Sequence, residues 1–285
     1  MKKMNRSDRE KMDNRNDSRP RSSRAKKSLG QNFLVDQNNV DKIVAALELK
    51  DTDTIIEIGP GRGAITGLLV ESGATVIAVE LDRELVPELR ERFAENKNFS
   101  VVEADATQVD FEQLFEYRKT KAPDQLSKAK LVANLPYYIS TPILQHLFTQ
   151  RHLFESLVLM FQREVVDRIA AKPGDSDRGF LTVLVEAAFA VEKLFDVPPT
   201  AFRPIPKVKS SVARFVPKES VIDDEKAFRD LVSIAFAQKR KTILNNLKAV
   251  HPDAKERLER SGLDGQRRAE SLTLEEWLVL FGSLR

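Results

Sequence analysis

Two hydrophobic periods alternate along most of the chain, and together they predict an α/β fold. Short runs of β-branched and other apolar residues, such as residues 54–58 and 130–133, predict strands. Apolar positions three or four residues apart predict the helices between them, and Asp36 is placed to cap one that runs to about Leu49. Strands and helices that alternate in this way are typical of a doubly wound, mostly parallel sheet.

The pattern changes after residue 217. The last strand signal, residues 211–216, is expected to pair with residues 191–197 as an antiparallel hairpin that ends a seven-stranded sheet. Beyond it only helical patterns follow, at residues 226–237, 241–248, 254–261 and from 273 to the end. We therefore predict an α/β domain over residues 28–217 and a small α-helical domain over residues 218–285.

The basic charge of the chain is concentrated in its first 27 residues. They hold 11 Lys and Arg against 4 Asp and Glu, a net charge of +7, whereas the whole chain carries +3 and the remainder therefore −4. Because this segment has almost nothing apolar to bury, we predict that residues 1–27 form a disordered basic tail. Such a tail either follows the phosphates of a nucleic acid or is inert. Because the rest of the chain has a net negative charge, any basic patch on the folded part has to be a local cluster of Lys and Arg.

Composition excludes several classes of protein and of chemistry. Hydrophobic residues make up 41% of the chain and charged residues 31%, and no apolar run approaches the roughly 18 residues of a membrane helix. We therefore expect a cytoplasmic protein with no membrane partner. The chain has no cysteine, which excludes disulfides, cysteine-ligated metal centres and a thiolate nucleophile.

Glycines and carboxylates follow three successive predicted strands. Residues 59–63 contain three glycines, Glu80 ends the next strand, and Asp105 follows the third. Because parallel strands end at the same edge of a sheet, these groups are expected to surround one ligand. Glycines let the backbone approach it, and a carboxylate at Glu80 suits the two hydroxyls of a ribose. The GxGxG spacing departs from the GxGxxG dinucleotide pattern and favours another nucleoside; the alternative for both acids is a solvated loop.

The fourth strand runs into Asn134-Leu135-Pro136-Tyr137, around which the rest of the chain is organised. A proline cannot continue a sheet ladder, so the strand has to stop there. The Asn134 amide oxygen and a backbone carbonyl beside the proline can each accept a hydrogen bond, and the Tyr137 ring offers a flat face for a base. These groups predict a pocket for an exocyclic amine on an aromatic ring. The alternative is a strand, a turn and a buried tyrosine.

Two basic segments are candidates for contact with nucleic acid. In the proline-rich loop of residues 198–209, Phe202 lies among cations on a stiff backbone, which suits a splayed nucleotide. The cations of this loop are Arg203, Lys207 and Lys209. The second segment, residues 239–241, is a cationic cluster at a predicted helix junction and suits phosphate contact. The alternatives are a rigid turn with a core phenylalanine and a solvated helical face.

Taken in order, these motifs resemble those of the ribosomal RNA adenine N6,N6-dimethyltransferases. The motifs that carry the resemblance are Gln31-Asn32-Phe33-Leu34, Glu57-Ile58-Gly59-Pro60-Gly61, Glu80-Leu81-Asp82, Asp105-Ala106, Asn134-Leu135-Pro136-Tyr137, Gln162-Arg163-Glu164-Val165 and Phe202-Arg203-Pro204-Ile205-Pro206-Lys207-Val208. The stretch at residues 238–242 is similar to the branch of the family that modifies bacterial small-subunit 16S RNA. Only the basic tail has no counterpart in the family's pattern.

The resemblance implies a Rossmann-like class I methyltransferase domain over residues 28–217 and a helical rRNA-binding domain over residues 218–285. It implies S-adenosylmethionine as the methyl donor, with no metal. The implied partner is 16S rRNA within the 30S subunit or its precursor. The implied substrate is a pair of adjacent adenosines in a hairpin near the 3′ end of that RNA, each of which is dimethylated at N6. We expect the protein to be a monomer.

The resemblance also implies roles for individual residues. The donor is expected to contact Asn32, Leu34, Gly59, Gly61, Glu80, Asp105 and Asn134. The catalytic residues are expected to be Asn134, Leu135, Pro136, Tyr137 and Phe202, with the rings of Tyr137 and Phe202 on opposite faces of a flipped base. The expected RNA contacts are Arg203, Lys207, Lys209, Lys239, Arg240 and Lys241. Related amino-methylating enzymes often carry a second proline where this chain has Leu135, a change that mainly alters the shape of the pocket.

Other functions fit part of the sequence. A methyltransferase of large-subunit RNA shares the sheet motifs, but residues 238–242 favour the small-subunit branch. A ribosome assembly factor with secondary or absent methylation would also bind RNA, but it would not need the full donor set. A dehydrogenase is the least favoured. Methylation at pyrimidine C5 usually requires a cysteine nucleophile, and the chain has none.

Overall fold

The computed structural model describes residues 25–26, 29–119 and 128–283, with only the backbone for residues 116–119. In chain order the elements are β1 (Phe33–Leu34), α1 (Gln37–Ala45), β2 (Thr54–Ile58), α2 (Ala64–Glu71), β3 (Thr75–Glu80), α3 (Leu85–Arg92), β4 (Phe99–Glu103), α4 (Phe111–Lys119), β5 (Ala129–Asn134), α5 (Ser140–Thr149), β6 (Phe154–Gln162), α6 (Arg163–Ile169), α7 (Phe180–Ala188), β7 (Phe189–Val197), β8 (Phe202–Arg203), β9 (Ser210–Pro217), α8 (Glu225–Ala235), α9 (Ile243–Leu247), α10 (Ala254–Arg260) and α11 (Leu274–Ser283). Short 3₁₀ turns lie at Arg151–Leu153, Pro199–Ala201 and Ala269–Ser271. Apart from residues 25–26, the predicted basic tail lies outside the described residues.

Seven of the strands form one sheet in the order β4-β3-β2-β5-β6-β9-β7. The first five are parallel, and β9 runs antiparallel to both β6 and β7. The predicted class of fold, with its terminal antiparallel pair, is therefore confirmed. The chain leaves β2 toward one edge of the sheet and returns at β5 toward the other, so these neighbouring strands form the point at which strand order reverses. Open α/β sheets bind their ligands at the carboxyl end of that point.

The register of the sheet aligns the two main sequence motifs. Ile58, the last residue of β2, pairs with Ala133 of β5. The next residues of the two strands, Gly59 and Asn134, therefore lie side by side at the carboxyl edge. The strand Thr75–Glu80 pairs with β2 on its other side, which brings Glu80 to the same edge.

Both faces of the sheet are buried. Successive residues of a strand point to opposite faces, so Ile55 packs in one hydrophobic cluster and Ile56 in the other. This double burial explains why the parallel strands are nearly continuous apolar runs instead of alternating patterns. No helix among the described residues is long and apolar enough to cross a membrane.

The C-terminal helices share a core with the sheet layer. Phe228 of α8 and Trp277 of α11 are fully buried, in the same hydrophobic cluster as Val183 of α7. Within the described part of the chain, residues 218–283 contain helices and turns without a strand, as the sequence predicts. The division of the chain at residue 217 stays a prediction.

Three elements lie outside the sequence-based expectations: β1, β8 and α4. β1 and β8 form a separate two-stranded antiparallel sheet, in which Leu34 pairs with Phe202. The helix α4 lies between the third and fourth parallel strands, where no element was expected. By contrast, Asp36 caps α1 as predicted, with its carboxylate accepting from the Asn39 N–H at 2.9 Å. The helix ends at Ala45, before the expected Leu49.

Candidate active site

The glycine loop after β2 forms one wall of the cavity at the sheet edge. Gly59 and Gly61 have φ angles of +67° and +57°, in the left-handed region that favours glycine. A Cβ atom at Gly61 would lie 3.0 Å from Cδ1 of Phe33, so the ring already occupies the space that a side chain would need. The Gly59 N–H donates to the Val79 carbonyl of β3 at 2.9 Å. The loop is therefore tightly held and presents backbone to the cavity.

Glu80 is buried at the end of β3, with 6% of its surface exposed. Its Oε2 accepts from the Gly61 N–H at 3.1 Å, and its Oε1 accepts from the Asp82 N–H at 2.9 Å. Burial raises the pKa of the Glu80 carboxyl, although these backbone donors partly offset that effect. A carboxylate offers about four lone-pair sites, so both oxygens can still accept from a pair of hydroxyls.

A second acid, Glu57, lines the same cavity. Only 2% of its surface is exposed, and its Oε2 accepts from the Thr66 hydroxyl at 2.6 Å. Burial raises the pKa of the Glu57 carboxyl to about 7. We did not predict this residue as part of the site. The available signal was a carboxylate inside an otherwise apolar strand, two residues before the first glycine of the loop.

Asp105 follows β4 and is half-buried. Its Oδ1 accepts from both the backbone N–H of Thr107, at 2.9 Å, and the hydroxyl of the same residue, at 2.7 Å. These two bonds fix the carboxylate, and its Oδ2 has no partner among the residues that the structure describes. The group can therefore accept a hydrogen bond from a ligand.

The Asn134 amide has a defined orientation. Its Nδ2 donates to the backbone carbonyl of Asn32 at 3.3 Å. Because only the nitrogen of the amide can donate to a carbonyl, the Oδ1 atom is directed away from Asn32 and remains an acceptor. The Asn32 side chain in turn donates to the Gly30 carbonyl at 3.2 Å. A contact between the N-terminal segment and β5 thus sets which atom Asn134 offers.

Of the three residues after Asn134, one is buried in the core, one offers a backbone carbonyl, and the third is a tyrosine whose ring is held by a hydrogen bond. Leu135 is 1% exposed and belongs to the core. The Pro136 carbonyl accepts from the Ile139 N–H at 3.2 Å, in the turn that leads to α5, and keeps a second lone pair. The half-buried Tyr137 forms a 2.8 Å hydrogen bond between its hydroxyl and that of Ser210, which is fully buried. Burial raises the pKa of the Tyr137 hydroxyl.

The N-terminal segment covers one side of the cavity. We define the strap as Lys26 together with residues 29–34. The Lys26 ammonium contacts Asp82 Oδ1 at 2.7 Å, and Gln31 Nε2 donates to Asp82 Oδ2 at 2.8 Å. Burial alone would raise the pKa of Asp82, but the hydrogen bonds from Lys26 and Gln31 outweigh it and lower that pKa. Sequence analysis placed Lys26 in the predicted basic tail and gave Asp82 no role beyond its motif, because the bonded partners are more than 50 residues apart in the chain.

Together these elements enclose an open cavity of about 1030 Å³, a volume that includes its mouth. Ten of the predicted site residues line it: Asn32, Leu34, Gly59, Gly61, Glu80, Asp105, Asn134, Leu135, Pro136 and Tyr137. The cavity therefore combines fixed carboxylates, an amide oxygen and an anchored aromatic ring. Among the residues described, no group of three or more His, Asp or Glu side chains could hold a metal ion.

Phe202 does not line this cavity. Its ring is 1% exposed and packs in the hydrophobic cluster that contains Val212 and Leu34. The pairing of β8 with β1 places it there. The prediction that Phe202 stacks on the face of the base opposite Tyr137 is therefore wrong for this structure, because the Phe202 ring is part of the core.

The predicted RNA-binding cations are all exposed, in two separate segments. Arg203 donates through Nη1 to the carbonyls of Thr200 and Phe202, at 3.0 and 2.8 Å. The cationic junction, Lys239–Lys241, connects α8 to α9. The backbone just before the junction is held by Asn246, whose buried Nδ2 donates to the carbonyls of Ala235 and Gln238 at 2.7 and 3.2 Å.

Comparisons with known proteins agree with this geometry. The family profile described as "Ribosomal RNA adenine dimethylase" matches residues 22–285. A "Ribosomal RNA small subunit methyltransferase A" from Saccharophagus degradans is 42% identical over 276 residues, which cover 96% of this chain and 99% of the relative. A protein of the same name from Geobacter metallireducens is 42% identical over 265 residues, covering 90% of this chain and 94% of the relative.

One solved structure agrees with this match, and a second shows the fold alone. A dimethyladenosine transferase from Plasmodium falciparum superposes with a TM-score of 0.73 at 29% identity, covering 87% of this chain and 95% of the other. The 23S rRNA methyltransferase ErmE superposes with a TM-score of 0.65 at 24% identity, covering 89% and 99%, and shows the shared fold. With a profile match over nearly the whole chain and relatives of this identity, the chain belongs to the ribosomal RNA adenine dimethylase family.

Proposed function

We propose that this protein transfers methyl groups from S-adenosylmethionine to N6 of two adjacent adenosines in a hairpin near the 3′ end of 16S rRNA, in the small ribosomal subunit. The observation that carries the proposal is the Asn134 amide, whose nitrogen is engaged by Asn32 while its oxygen remains an acceptor at the cavity. That oxygen suits an exocyclic amine. The two relatives named for the small subunit match 96% and 90% of this chain.

The residues of the cavity fit the donor that the family implies. The Glu80 carboxylate can accept from the two ribose hydroxyls, and Asp105 can accept from the adenine amine through its unengaged Oδ2. Gly59 presents backbone beside the place for the methionine part, and Asn32 and Leu34 of the strap cover the opposite side. When bound, the donor supplies a methyl group already activated by attachment to a positively charged sulfur.

The protein's contribution to the reaction is then positioning and electrostatics. The N6 lone pair of adenine is delocalised into the ring, which makes the amine a poor nucleophile. Hydrogen bonds from the amine to Asn134 Oδ1 and to the second lone pair of the Pro136 carbonyl favour a pyramidal nitrogen with a localised lone pair. The Tyr137 ring stacks on the flipped base, and its bond to Ser210 prevents the ring from turning away.

The exposed cations supply the attraction to RNA. We infer that Arg203, Lys207 and Lys209 contact phosphates near the cavity, because Lys209 directly precedes Ser210, the partner of Tyr137. The cationic junction contacts a more distant part of the RNA. We further propose that the protein acts in the cytoplasm as a monomer, on the 30S subunit or its precursor.

Methyl transfer from labelled S-adenosylmethionine to unmethylated 30S particles tests this proposal, with large subunits as the parallel substrate and nucleoside analysis of the product. N6,N6-dimethyladenosine in the 30S RNA alone is the expected result. Label confined to large subunits would instead assign the protein to 23S methylation. Tight 30S binding without label would favour a pure assembly factor, and either result would overturn the proposal.

A further inference from the structure

Two consecutive tyrosines at the cavity differ sharply in their surroundings. Tyr137 is half-buried and its hydroxyl is anchored to Ser210. Tyr138 also lines the cavity, but 55% of its surface is exposed. Its hydroxyl has no hydrogen-bond partner in the part of the chain that the structure describes. Methylation as derived above uses Tyr137 and leaves Tyr138 without a role.

The Tyr138 ring is nevertheless held in place on one side. A Cβ atom at Gly30 would lie 3.0 Å from Cδ1 of Tyr138 and 3.2 Å from its Cε1. The backbone of Gly30, with a φ angle of +58°, therefore packs closely against the ring. The adjacent Gln31 is bonded to the buried Asp82 at 2.8 Å, so this support is itself fixed. The ring thus has a backed side and an open side at the cavity mouth.

The open side of the Tyr138 ring suits the base that is left without a stacking partner when its neighbour is flipped into the cavity. When one nucleotide enters a cavity, the neighbouring base loses a stacking partner, and enzymes of this kind often contact the nucleotides that flank the target. Exposed aromatic side chains bind such unstacked bases by stacking. A single exposed aromatic elsewhere on a surface needs no explanation, but Tyr138 directly follows the ring that stacks on the target.

We propose that Tyr138 stacks on the base of the nucleotide adjacent to the flipped adenosine; the inference rests on the proposed function. While Tyr137 holds one adenosine in the cavity, Tyr138 holds its neighbour at the mouth. A purine gives the largest stacking surface, so Tyr138 contributes to the selection of two adjacent adenosines. It is a specificity residue, and it makes no contact with the reacting amine.

Tyr138→Leu and Tyr138→Phe separate stacking from other roles of the side chain. Leucine removes the aromatic face, and we expect kcat/KM for unmethylated 30S particles to fall roughly 5- to 100-fold. Phenylalanine keeps the aromatic face and should stay within about two-fold of the wild type, since the Tyr138 hydroxyl has no hydrogen-bond partner among the described residues. The KM for S-adenosylmethionine should be unchanged in both. Val279→Ala, which alters a 54% exposed residue of α11, is the matched control.

A particle that lacks the neighbouring base provides the decisive measurement. In 30S particles reconstituted with an abasic nucleotide beside a single target adenosine, the wild type should lose about as much activity as Tyr138→Leu loses on the intact substrate. Combining variant and abasic RNA should cost little more, because both remove the same contact. Three results would overturn this inference but not the proposed function. The first is that the losses from Tyr138→Leu and from the abasic nucleotide multiply, and the second is that Tyr138→Leu keeps full activity on intact particles. The third is that Tyr138→Leu raises the KM for S-adenosylmethionine and leaves the kinetics with RNA unchanged. A wild-type enzyme that does not methylate intact, unmethylated 30S particles would overturn the proposed function as well.

Discussion

The cavity at the sheet edge and the cationic junction of the helical part are polar regions built in opposite ways. In the cavity, the side chains assigned to the donor and to the target base are buried or half-buried, and each is oriented by a second group: Glu80, Asp105, Asn134 and Tyr137. Glu80 is held by two backbone N–H groups, and Asn134 by the Asn32 carbonyl. At the junction, Lys239–Lys241 are exposed, and Asn246 fixes only the backbone that precedes them, at Ala235 and Gln238.

The difference reflects two physical requirements. Hydrogen bonds that reshape an amine depend on distance and angle, so the atoms that form them must not move. Attraction between cations and RNA phosphates acts over about 10 Å at moderate salt and tolerates mobile side chains. Single substitutions should therefore have large effects in the cavity and small effects at the junction.

The largest effect is expected for Asn134→Ala. Removing the amide oxygen should lower kcat about 10²- to 10³-fold, the range for loss of one oriented group in an active site. Affinity for 30S particles should stay within about two-fold, because phosphate contacts lie elsewhere. Single-turnover methylation and filter binding measure the two quantities. Asn245→Ala, at an exposed residue of α9, is the control, and near-normal turnover of Asn134→Ala would refute the role of the amide.

The buried Glu57 should make the stability of the protein depend on pH. Its folded-state pKa is raised from 4.5 to about 7, so the folded protein retains a proton that the unfolded chain has lost. The contribution of Glu57 to stability is therefore full below pH 4.5 and falls as pH rises through 7, by about 3 kcal/mol in total. Glu57→Gln, which stays neutral, should remove this slope. Urea unfolding between pH 5 and 8 measures it.

The helical part supplies an internal contrast to Glu57. A hydrogen bond from Arg267 lowers the pKa of Glu276, so its contribution is present above the unfolded pKa and is lost as pH falls through the lower folded value. The two acids thus respond in opposite directions. Parallel curves for wild type and Glu57→Gln between pH 5 and 7 would contradict the assignment to Glu57.

Glu80→Gln should weaken the binding of S-adenosylmethionine, by a factor smaller than the loss of kcat expected for Asn134→Ala. Each carboxylate oxygen already accepts a backbone N–H, so an amide would place its own N–H groups against one of these donors. We expect the Kd for S-adenosylmethionine to rise about 10- to 100-fold, as for loss of hydrogen bonds to a charged group. Calorimetry measures it, with Glu112→Gln at an exposed residue of α4 as the control. An unchanged Kd would show that the ribose lies elsewhere.

The sequence predicts most of the sheet and many cavity residues because their signals are local. The run at residues 54–58 becomes β2 with the expected bounds, and Asp36 caps its helix. The carboxyl edge of a parallel sheet collects strand ends, so the order of the strands along the chain is enough to place Gly59, Glu80 and Asn134 together. That placement needs no knowledge of any long-range side-chain contact.

Apart from α4 and Glu57, the features that sequence analysis missed depend on distant partners. β1 and β8 contain two residues each and lie far apart in the chain, so neither carries a periodic signal. Their pairing buries Phe202, which the cations around it made look like a surface residue. Nothing local distinguishes Tyr138 from Tyr137 either, since the difference arises from Ser210 and Gly30.

The smallest effect per residue is expected at the cationic junction. Neutralising Lys239, Arg240 and Lys241 together should weaken 30S binding about ten-fold and reduce the slope of log K against log salt by roughly two to three, since fewer counterions are released. The kcat on saturated particles should remain near normal, because these side chains act only on binding. The matched control neutralises Lys226, Lys255 and Arg260, equally charged residues of the helical part that each pair with an acid four residues away. Because those acids already compensate the control cations, their loss should change the salt slope less. Equal slopes for the two triple variants would mean that net charge alone attracts the RNA, and that the junction has no defined place in the complex.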